Sequence, residues 1–281
     1  MNTQVFNGKE QMQQLRNHLR DDFSVFSDQP ILHIIIVGFH PVIERFVRMK
    51  KRFGEYIGVG VEIHRLDVSS TTQDCQSYIR DLVEHTSGPA GCIVQLPLPQ
   101  HIDVQSVLDT VPPAWDVDVL GKEAYEIFES NTGTMIPPVA RAIGFALEHT
   151  PQNFATDCLY VVVGNGKLVG KPTMTLLAHH GISPIVLDKD SPSEIFIQSL
   201  TTADIIISGV GKPHMITPDM ISEGVVLIDA GTSEGEGVLR GDIDPACYAQ
   251  ASWYTPVPGG IGPLTVAMIF VNLYESYKHL L

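Results

Sequence analysis

The fold of this chain is decided by the stretch Leu159-Tyr-Val-Val-Val-Gly-Asn-Gly-Lys-Leu-Val-Gly-Lys-Pro172. Its apolar, β-branched start predicts a buried strand, and its three glycines predict a tight turn before a helix that we expect from Pro172 to His180. A strand, a glycine turn and a helix in this order hold the pyrophosphate of a dinucleotide at the helix N-terminus. The last glycine lies one residue beyond the G-x-G-x-x-G spacing, so the turn alone is a weak signal.

The residues after this turn continue a parallel α/β pattern. Apolar runs predict strands at Pro184–Leu187, Ile205–Ser208 and Val225–Asp229, as expected for a Rossmann-like sheet. The first of these strands ends in Asp188. An acidic side chain about 20 residues beyond the glycines accepts the ribose 2′-OH of NAD and repels the 2′-phosphate of NADP.

Three alternatives remain open at this acidic turn. Lys189 offers a positive charge to a 2′-phosphate, and a slip of register makes Asp190 the relevant acid. The third is a surface Asp-Lys-Asp turn with no ligand. We therefore predict NAD as the preferred cofactor, with NADP as the alternative.

The N-terminal half alternates in the same way. Strands are predicted at Ile31–Val37, Gly60–Leu66 and Gly91–Gln95, and helices at Val42–Tyr56 and Thr72–His85. A connecting helix is predicted from Pro137 to Glu148. The fold class is therefore α/β, with two α/β domains around a cleft, the second of them Rossmann-like. We expect a first, catalytic domain at residues 1–140 plus 264–281 and a dinucleotide-binding domain at residues 141–263.

Composition narrows the class of protein. The 281 residues carry a formal charge of −14 without a Lys/Arg stripe, which argues against nucleic-acid or membrane partners. Four scattered cysteines and a polar N-terminus without a signal-peptide pattern predict a cytoplasmic protein. The eleven histidines form no H-x-x-x-H or comparable pattern, so we predict no metal.

A second glycine-rich stretch lies near the C-terminus, Thr255-Pro-Val-Pro-Gly-Gly-Ile-Gly-Pro-Leu-Thr265. Prolines fix φ and remove N–H donors, whereas glycines let a ligand approach the backbone. The stretch predicts a ligand-facing loop that starts a helix, which we expect from Leu264 to His279. A stiff turn between domains is the alternative.

Together these stretches resemble the methylenetetrahydrofolate dehydrogenase/cyclohydrolase (FolD) family, of which the chain looks like a divergent member. Further strings that carry the resemblance are Val94-Gln-Leu-Pro-Leu-Pro99 and Ala203-Asp-Ile-Ile-Ile-Ser-Gly-Val-Gly-Lys-Pro213. The resemblance implies that the final helix returns to the first domain and that the protein forms a homodimer. It also implies a tetrahydrofolate substrate and a nicotinamide cofactor.

The resemblance assigns roles to individual residues. Catalysis falls to Lys50, which moves protons, to Gln95 beside it, and to Asp118, which binds the pteridine ring. Substrate contacts are expected at Phe46, Pro97, Pro258, Gly259, Gly260, Ile261, Gly262 and Thr265. The glycine turn and the resemblance together predict cofactor contacts at Gly164, Asn165, Gly166, Val169, Asp188, Gly209, Val210, Gly211 and Lys212. A capping role for Asp116 or Asp118 is the structural alternative.

The chain departs from the family pattern on the substrate side. Phe46 replaces the family's tyrosine, one helical turn before Lys50, and Ile43 replaces a serine. Both hydroxyls are lost, so methenyltetrahydrofolate cyclohydrolase activity is doubtful, whereas hydride transfer depends more on alignment. Further changes are Trp115 for lysine, Val119 for glycine, and Asn165-Gly166 for the family's Arg-Ser pair.

The predicted function is oxidation of 5,10-methylenetetrahydrofolate to the 5,10-methenyl form with hydride transfer to NAD(P). One alternative is a dehydrogenase of the same fold that acts on a different pterin-like substrate, because the changed residues were all expected around one pocket. The other alternative is a non-catalytic ligand-binding relative.

Overall fold

The structure is a computed structural model that describes residues 3–39, 41–235 and 238–278. The chain divides into two compact units. The three-stranded unit comprises Gln13–Pro138 and Val266–Leu281, and the six-stranded unit comprises Met1–Met12 and Val139–Thr265. Each is a sheet covered by helices.

Strands and helices alternate along most of the chain. Up to the middle of the chain, the order is β1 (Gln4–Val5), α1 (Gly8–Phe23), β2 (Ile31–Val37), α2 (Pro41–Ile57), β3 (Gly60–Leu66), α3 (Thr72–His85), β4 (Ala90–Val94), α4 (Val104–Leu108), α5 (Lys122–Glu129) and α6 (Pro138–Glu148). It continues with β5 (Tyr160–Val163), α7 (Gly170–His179), β6 (Ile185–Leu187), α8 (Ser193–Thr202), β7 (Ile205–Ser208), β8 (Val226–Asp229), β9 (Ser233–Gly235), β10 (Val238–Arg240), β11 (Trp253–Tyr254) and α9 (Ile261–Tyr277). Short 3₁₀ helices span Pro218–Met220 and Pro245–Ala249.

The smaller sheet is parallel with the order β3-β2-β4. Its central strand β2 is buried almost throughout because helices cover both faces, which explains the unbroken apolar run in its sequence. One face carries Ile35, Val37 and Val94 and packs against Cys75 and Ile79 of α3. The helix α3 begins with a capping box between Thr71 and Asp74.

The larger sheet has the order β1-β11-β8-β7-β5-β6, and all of its neighbours are parallel. The chain leaves β5 for β6 on one side and then returns to β7 on the other side. Such a reversal of strand order creates a crevice at the carboxyl ends of the strands, where open α/β sheets bind ligands. The turns that follow β5 and β7 lie at this edge.

The predicted strands and helices agree with the structure to within a few residues at their ends. The domain boundaries differ at the N-terminus, because residues 1–12, expected in the first domain, group with the six-stranded unit. There Gln4 and Val5 pair in parallel with Trp253 and Tyr254. Residues 266–281 group with the three-stranded unit, although the predicted helix end at His279 lies outside the described residues.

The structure also contains elements that the sequence analysis did not predict, notably α1, α5 and α8. Among the helices of residues 3–39, 41–235 and 238–278, none is long and apolar enough to cross a membrane.

Candidate active site

Lys50 lies on the buried face of α2. Ile43, Val47 and Lys50 follow one another at helical spacing, and all three are buried. The helix is held against the sheet by Glu44, whose carboxylate accepts two hydrogen bonds from Arg65 of β3, at 2.6 and 2.8 Å. A lysine within an apolar stripe is unusual, because burying an ammonium costs free energy unless a partner meets it.

The partner of Lys50 is Gln95. The Lys50 Nζ donates to Gln95 Oε1 at 2.8 Å, and the Gln95 Nε2 donates to the carbonyl oxygen of Leu96 at 3.0 Å. Gln95 follows directly after β4, and its own N–H bonds to Ile35 at 2.9 Å, so the residue is fixed to the end of the sheet. The peptide bond from Leu96 to the exposed Pro97 is cis.

Burial lowers the pKa of Lys50, and the negative charge of Asp118 opposes that change only in part. Burial likewise raises the pKa of Asp118, with the Lys50 charge acting in the opposite direction. The structure therefore brings Lys50, Gln95 and Asp118, the three predicted catalytic residues, into one electrostatic environment.

The two aspartates of the Trp115–Val119 segment differ in their partners. Asp116 accepts hydrogen bonds from the N–H groups of Leu120 and Gly121, at 2.9 and 2.7 Å, so it closes the turn. Burial raises the pKa of Asp116 to about 7, against these two donors. Asp118 is half-buried, and no donor in the described part of the chain bonds to its carboxylate. The capping role thus belongs to Asp116, and Asp118 has its acceptors free.

Two of the four substrate-side substitutions are buried, and a third packs against the core. Ile43 and Val119 are buried, and Trp115 stacks on His33 with ring centroids 5.7 Å apart. Val119 has φ of 54°, a conformation that favours the glycine of the family pattern. Only Phe46 is exposed, with Arg45 over its ring. The expectation that these residues together reshape one pocket stays a prediction, although two of them are buried in the core.

In the six-stranded unit, the glycine turn connects β5 to α7. Gly164 has φ of 107°, and a Cβ on Gly170 would overlap the Gly164 carbonyl, so both positions require glycine for the turn itself. Gly166 is different, because a Cβ there would meet no atom within 4 Å. It leaves open space above the turn, at the N-terminal end of α7.

A pocket of about 930 Å³ lies over this turn. Its lining includes the predicted cofactor residues Gly164, Asn165, Gly166, Asp188, Gly209, Val210 and Lys212. Val169 and Gly211 were also predicted but do not line it. Instead, Val169 precedes the first turn of α7 and occupies the space that a side chain at residue 209 would need. The pocket lining also includes residues that the sequence does not indicate, which are Ser191, Ser193, Phe196, Ile197, Met215 and Met220.

Asp188 lines the pocket and Asp190 does not. The Asp188 Oδ1 accepts from the Asp190 N–H at 3.0 Å and from the Ser191 hydroxyl at 3.4 Å, which leaves Oδ2 without a donor among the described residues. Lys189 also lines the pocket. The negative charge of Asp188, which favours NAD, and the positive charge of Lys189, which favours NADP, are therefore both present in the pocket lining.

Asp242 holds the turn after β7. Its Oδ2 accepts from the Ser208 hydroxyl at 2.8 Å and from the Val210 N–H at 2.7 Å, and its Oδ1 accepts from the Lys212 N–H at 2.8 Å. The residue is fully buried. The sequence predicts no role for Asp242, because an aspartate that bonds to a distant turn leaves no local pattern.

The loop at residues 255–265 is packed more tightly than predicted. Gly260 and Ile261, expected to contact the substrate, are buried. A Cβ on Gly8 of α1 would overlap the Gly260 carbonyl, and a Cβ on Gly260 would overlap Thr255 and Pro256. Of the other predicted contacts, Pro258 and Gly262 are exposed, Gly259 is half-buried, and the half-buried Thr265 donates its hydroxyl to the Gly262 carbonyl at 2.7 Å.

A parallel α/β unit with a glycine turn and a pocket at its strand-order reversal, joined to a unit with a buried lysine, is typical of dehydrogenases that bind a dinucleotide cofactor. Sequence comparison gives the family. Residues 6–118 match the tetrahydrofolate dehydrogenase/cyclohydrolase catalytic domain, and residues 137–281 match the NAD(P)-binding domain of the same family. The chain belongs to the tetrahydrofolate dehydrogenase/cyclohydrolase family.

Individual relatives agree with this assignment. The bifunctional protein FolD of Moorella thermoacetica is 34% identical over 99% of this chain and 100% of its own length. The crystal structure of the bifunctional FolD enzyme from Campylobacter jejuni superposes with a TM-score of 0.93 at 26% identity, covering 99% of this chain and 100% of that one. The Trypanosoma brucei enzyme, solved with NADP and an inhibitor, gives 0.90 at 26% identity, with 99% and 98% covered.

These findings confirm the predicted family, the α/β fold class and the enzyme class, an oxidoreductase of one-carbon folate metabolism that uses a nicotinamide cofactor. The alternative of a different pterin-like substrate finds no support in them.

Proposed function

We propose that this protein oxidises 5,10-methylenetetrahydrofolate with NAD as the hydride acceptor and that its cyclohydrolase activity is weak or absent. The observation that carries this proposal is the buried Lys50 ammonium at 2.8 Å from Gln95 Oε1, in the field of Asp118. A lysine without a chemical role does not need a buried position, because lysine side chains normally lie on the protein surface.

In this proposal Asp118 binds the folate. Its carboxylate has no protein donor among the described residues, whereas the adjacent Asp116 is occupied by the turn. A free carboxylate accepts two parallel N–H bonds from an amino-pyrimidine edge, which is the edge that a pteridine offers. Gln95 is held by the backbone and by Lys50, so it orients both the lysine and the substrate.

Lys50 handles the charge that develops during the reaction. When bound, the nicotinamide accepts a hydride from the one-carbon unit of the substrate. Loss of that hydride leaves positive charge on the folate, and an ammonium beside it would oppose the reaction. Because burial lowers the Lys50 pKa, the neutral amine is favoured relative to a surface lysine. The same Nζ can then receive a proton.

The residues of the six-stranded unit fit a dinucleotide. The N-terminus of α7 and the open space above Gly166 suit a pyrophosphate, which is attracted to the helix N-terminus. The free Oδ2 of Asp188 suits the ribose 2′-OH of NAD. Its charge disfavours a 2′-phosphate more than the exposed Lys189 compensates, because the aspartate is half-buried and held by its turn.

The weak cyclohydrolase activity follows from Phe46. Hydrolysis of the methenyl group needs an activated water, and a phenyl ring neither donates nor accepts a hydrogen bond to hold it. Phe46 occupies the position one helical turn before Lys50, where the family pattern places a hydroxyl.

Initial rates with 5,10-methylenetetrahydrofolate test the proposal. We expect NAD to be reduced with a larger kcat/KM than NADP, with methenyl product accumulating as NAD is consumed. Asp188→Ser should raise the kcat/KM for NADP relative to NAD, whereas Asp190→Ser, outside the pocket, should leave the ratio unchanged. If neither cofactor is reduced, the proposed dehydrogenase activity is wrong. If the methenyl product is lost faster than its uncatalysed hydrolysis, the proposal that cyclohydrolase activity is weak or absent is wrong.

A homodimer and a cytoplasmic location remain predictions. Sedimentation analysis of the purified protein tests the first, and localisation of the tagged protein by cell fractionation tests the second.

A further inference from the structure

A cluster of metal-binding side chains lies on the smaller sheet. His33 belongs to β2, and Glu62 and His64 belong to the adjacent strand β3. His33 pairs directly with Glu62 in the parallel register, and His64 follows two residues later on the same face. His33 alternates with Ile35 and Val37, so this is the face that packs against α3. None of the predicted catalytic residues takes part.

The three side chains converge on one point. His33 Nδ1 lies 3.0 Å from His64 Nε2 and 3.3 Å from Glu62 Oε2, and His64 Nε2 lies 3.7 Å from the same Oε2. A circle through these three atoms has a radius of about 1.95 Å, which matches the distance of about 2.0–2.2 Å at which Zn²⁺ binds imidazole nitrogen and carboxylate oxygen.

The surrounding residues fix the orientation of both imidazole rings. The Tyr78 hydroxyl lies 2.8 Å from His64 Nδ1, so a hydrogen bond on the far nitrogen turns Nε2 toward the cluster. Trp115 stacks on His33 at an interplanar angle of 8°. The Nε2 of His33 is buried with no hydrogen-bond partner among the described residues, so Nδ1 is the only nitrogen of that ring that meets polar groups.

Burial favours the neutral form of both histidines, which is the form that binds a metal ion. Burial lowers the pKa of His33, and the nearby His64 lowers it further, while Glu62 acts in the opposite direction. Burial also lowers the pKa of His64. A metal must compete with protons for imidazole nitrogen, so a lowered pKa favours the metal.

We propose that His33, Glu62 and His64 bind a divalent transition-metal ion of the zinc class, with water completing the coordination. Two imidazole nitrogens and one carboxylate oxygen select such an ion over Mg²⁺ and Ca²⁺, which prefer oxygen ligands. The ion would join β3, the edge strand of the sheet, to the central strand β2. It would therefore stabilise the edge of the sheet on the side away from α2.

The same residues could hold together without an ion, through a proton shared between the two rings. In that arrangement Glu62 is a surface carboxylate with an exposed fraction of 54%, and its removal costs little. The two explanations therefore differ in one measurable property, which is saturable binding of a metal that depends on Glu62.

The test uses the purified full-length protein after dialysis against a chelator. Co²⁺ serves as the spectroscopic probe through its visible absorption, and Zn²⁺ binding is measured by competition and by calorimetry. The variants are Glu62→Gln and His64→Gln. The matched controls are Glu84→Gln and His85→Gln, which remove the same side chains from exposed positions on α3.

We expect one equivalent of Zn²⁺ to bind and to displace Co²⁺, with unchanged affinity in both controls. Because each variant removes a ligand, affinity should fall by at least about 10–100-fold, the loss typical of the weaker outer-shell contacts. Binding should also raise the melting temperature of the wild type but not of the Glu62→Gln variant. That variant keeps the volume of a mostly exposed side chain, so it tests the proposal even if His64→Gln fails to fold.

Absence of saturable binding, or equal binding by wild type and Glu62→Gln, overturns the proposal. An intense thiolate-to-cobalt band would also overturn it, because the ion would then belong to a cysteine.

Discussion

The hydrogen bond between Lys50 and Gln95 makes the sharpest prediction. Replacing Gln95 by leucine keeps the approximate size of the side chain and removes the oxygen that accepts from the lysine at 2.8 Å. The Lys50 Nζ is buried, so water does not easily replace the lost acceptor. The protonated form of Lys50 should therefore lose stabilisation, and the Lys50 pKa should fall further below its ordinary value.

The size of the change follows from the type of bond. Hydrogen bonds to charged groups contribute about 1.5–3 kcal/mol, and one pKa unit corresponds to about 1.4 kcal/mol. If neutral Lys50 is the active form, the acidic limb of the pH profile reports its protonation. In the Gln95→Leu variant this limb should move to lower pH by about 1 to 2 pH units. Gln95→Glu should move the limb to higher pH, since a carboxylate favours the ammonium.

The measurement is kcat/KM for oxidation of 5,10-methylenetetrahydrofolate as a function of pH, which reports ionisations of the free enzyme. Gln76→Leu is the matched control. Its amide donates to the Ser106 carbonyl at 3.0 Å in the same unit, and Lys50 is not its partner. The control should lower stability without moving the limb.

Three outcomes would contradict this role of Gln95. The limb stays in place in Gln95→Leu, it moves in the same direction in Gln95→Glu, or it moves equally in Gln76→Leu. Each would mean that Lys50 is not the group that titrates, or that Gln95 does not set its pKa.

Substitutions at three further positions test other parts of the structure. Val119→Gly should be more stable to urea than Val119→Ala by about 0.5–1 kcal/mol, because φ of 54° is unfavourable for every residue with a Cβ. A more stable alanine variant would contradict this prediction. Asp242→Asn should lower the free energy of unfolding by about 1–3 kcal/mol, since an amide nitrogen must then face a backbone N–H. It should also weaken NAD binding measured by calorimetry. Unchanged NAD affinity would mean that Asp242 does not support the cofactor site. Phe46→Tyr should raise methenyl hydrolysis about 10²-fold without loss of stability, because the exposed position needs no buried partner for the hydroxyl. The same change in a Lys50→Met background should give no gain, and a gain there would exclude the lysine from water activation.

Sequence patterns alone predict most of the secondary structure and the position of the candidate dinucleotide site. Buried parallel strands such as β2 and β5 have sequences with continuous runs of mostly β-branched residues, and glycines follow at the turns. A strand–turn–helix site is a local feature, so the sequence predicts Gly164 and Asp188 without any distant contact, and both line the pocket. The resemblance to a known family supplied Lys50, Gln95 and Asp118, which no local pattern distinguishes from surface residues.

Contacts between distant segments show which of these residues keep free acceptors within the described part of the chain and which are packed in the core. These contacts show that Asp116, and not Asp118, bonds to the turn, and that Gly260 lies against the first residue of α1. They also add β1 to the edge of the larger sheet. The same kind of contact brings His33 to Glu62 and His64, although the chain between them forms a whole helix. The physical reason is that sequence patterns report periodicity along one segment. The register between strands, by contrast, is set by the packing of segments that are far apart in the chain.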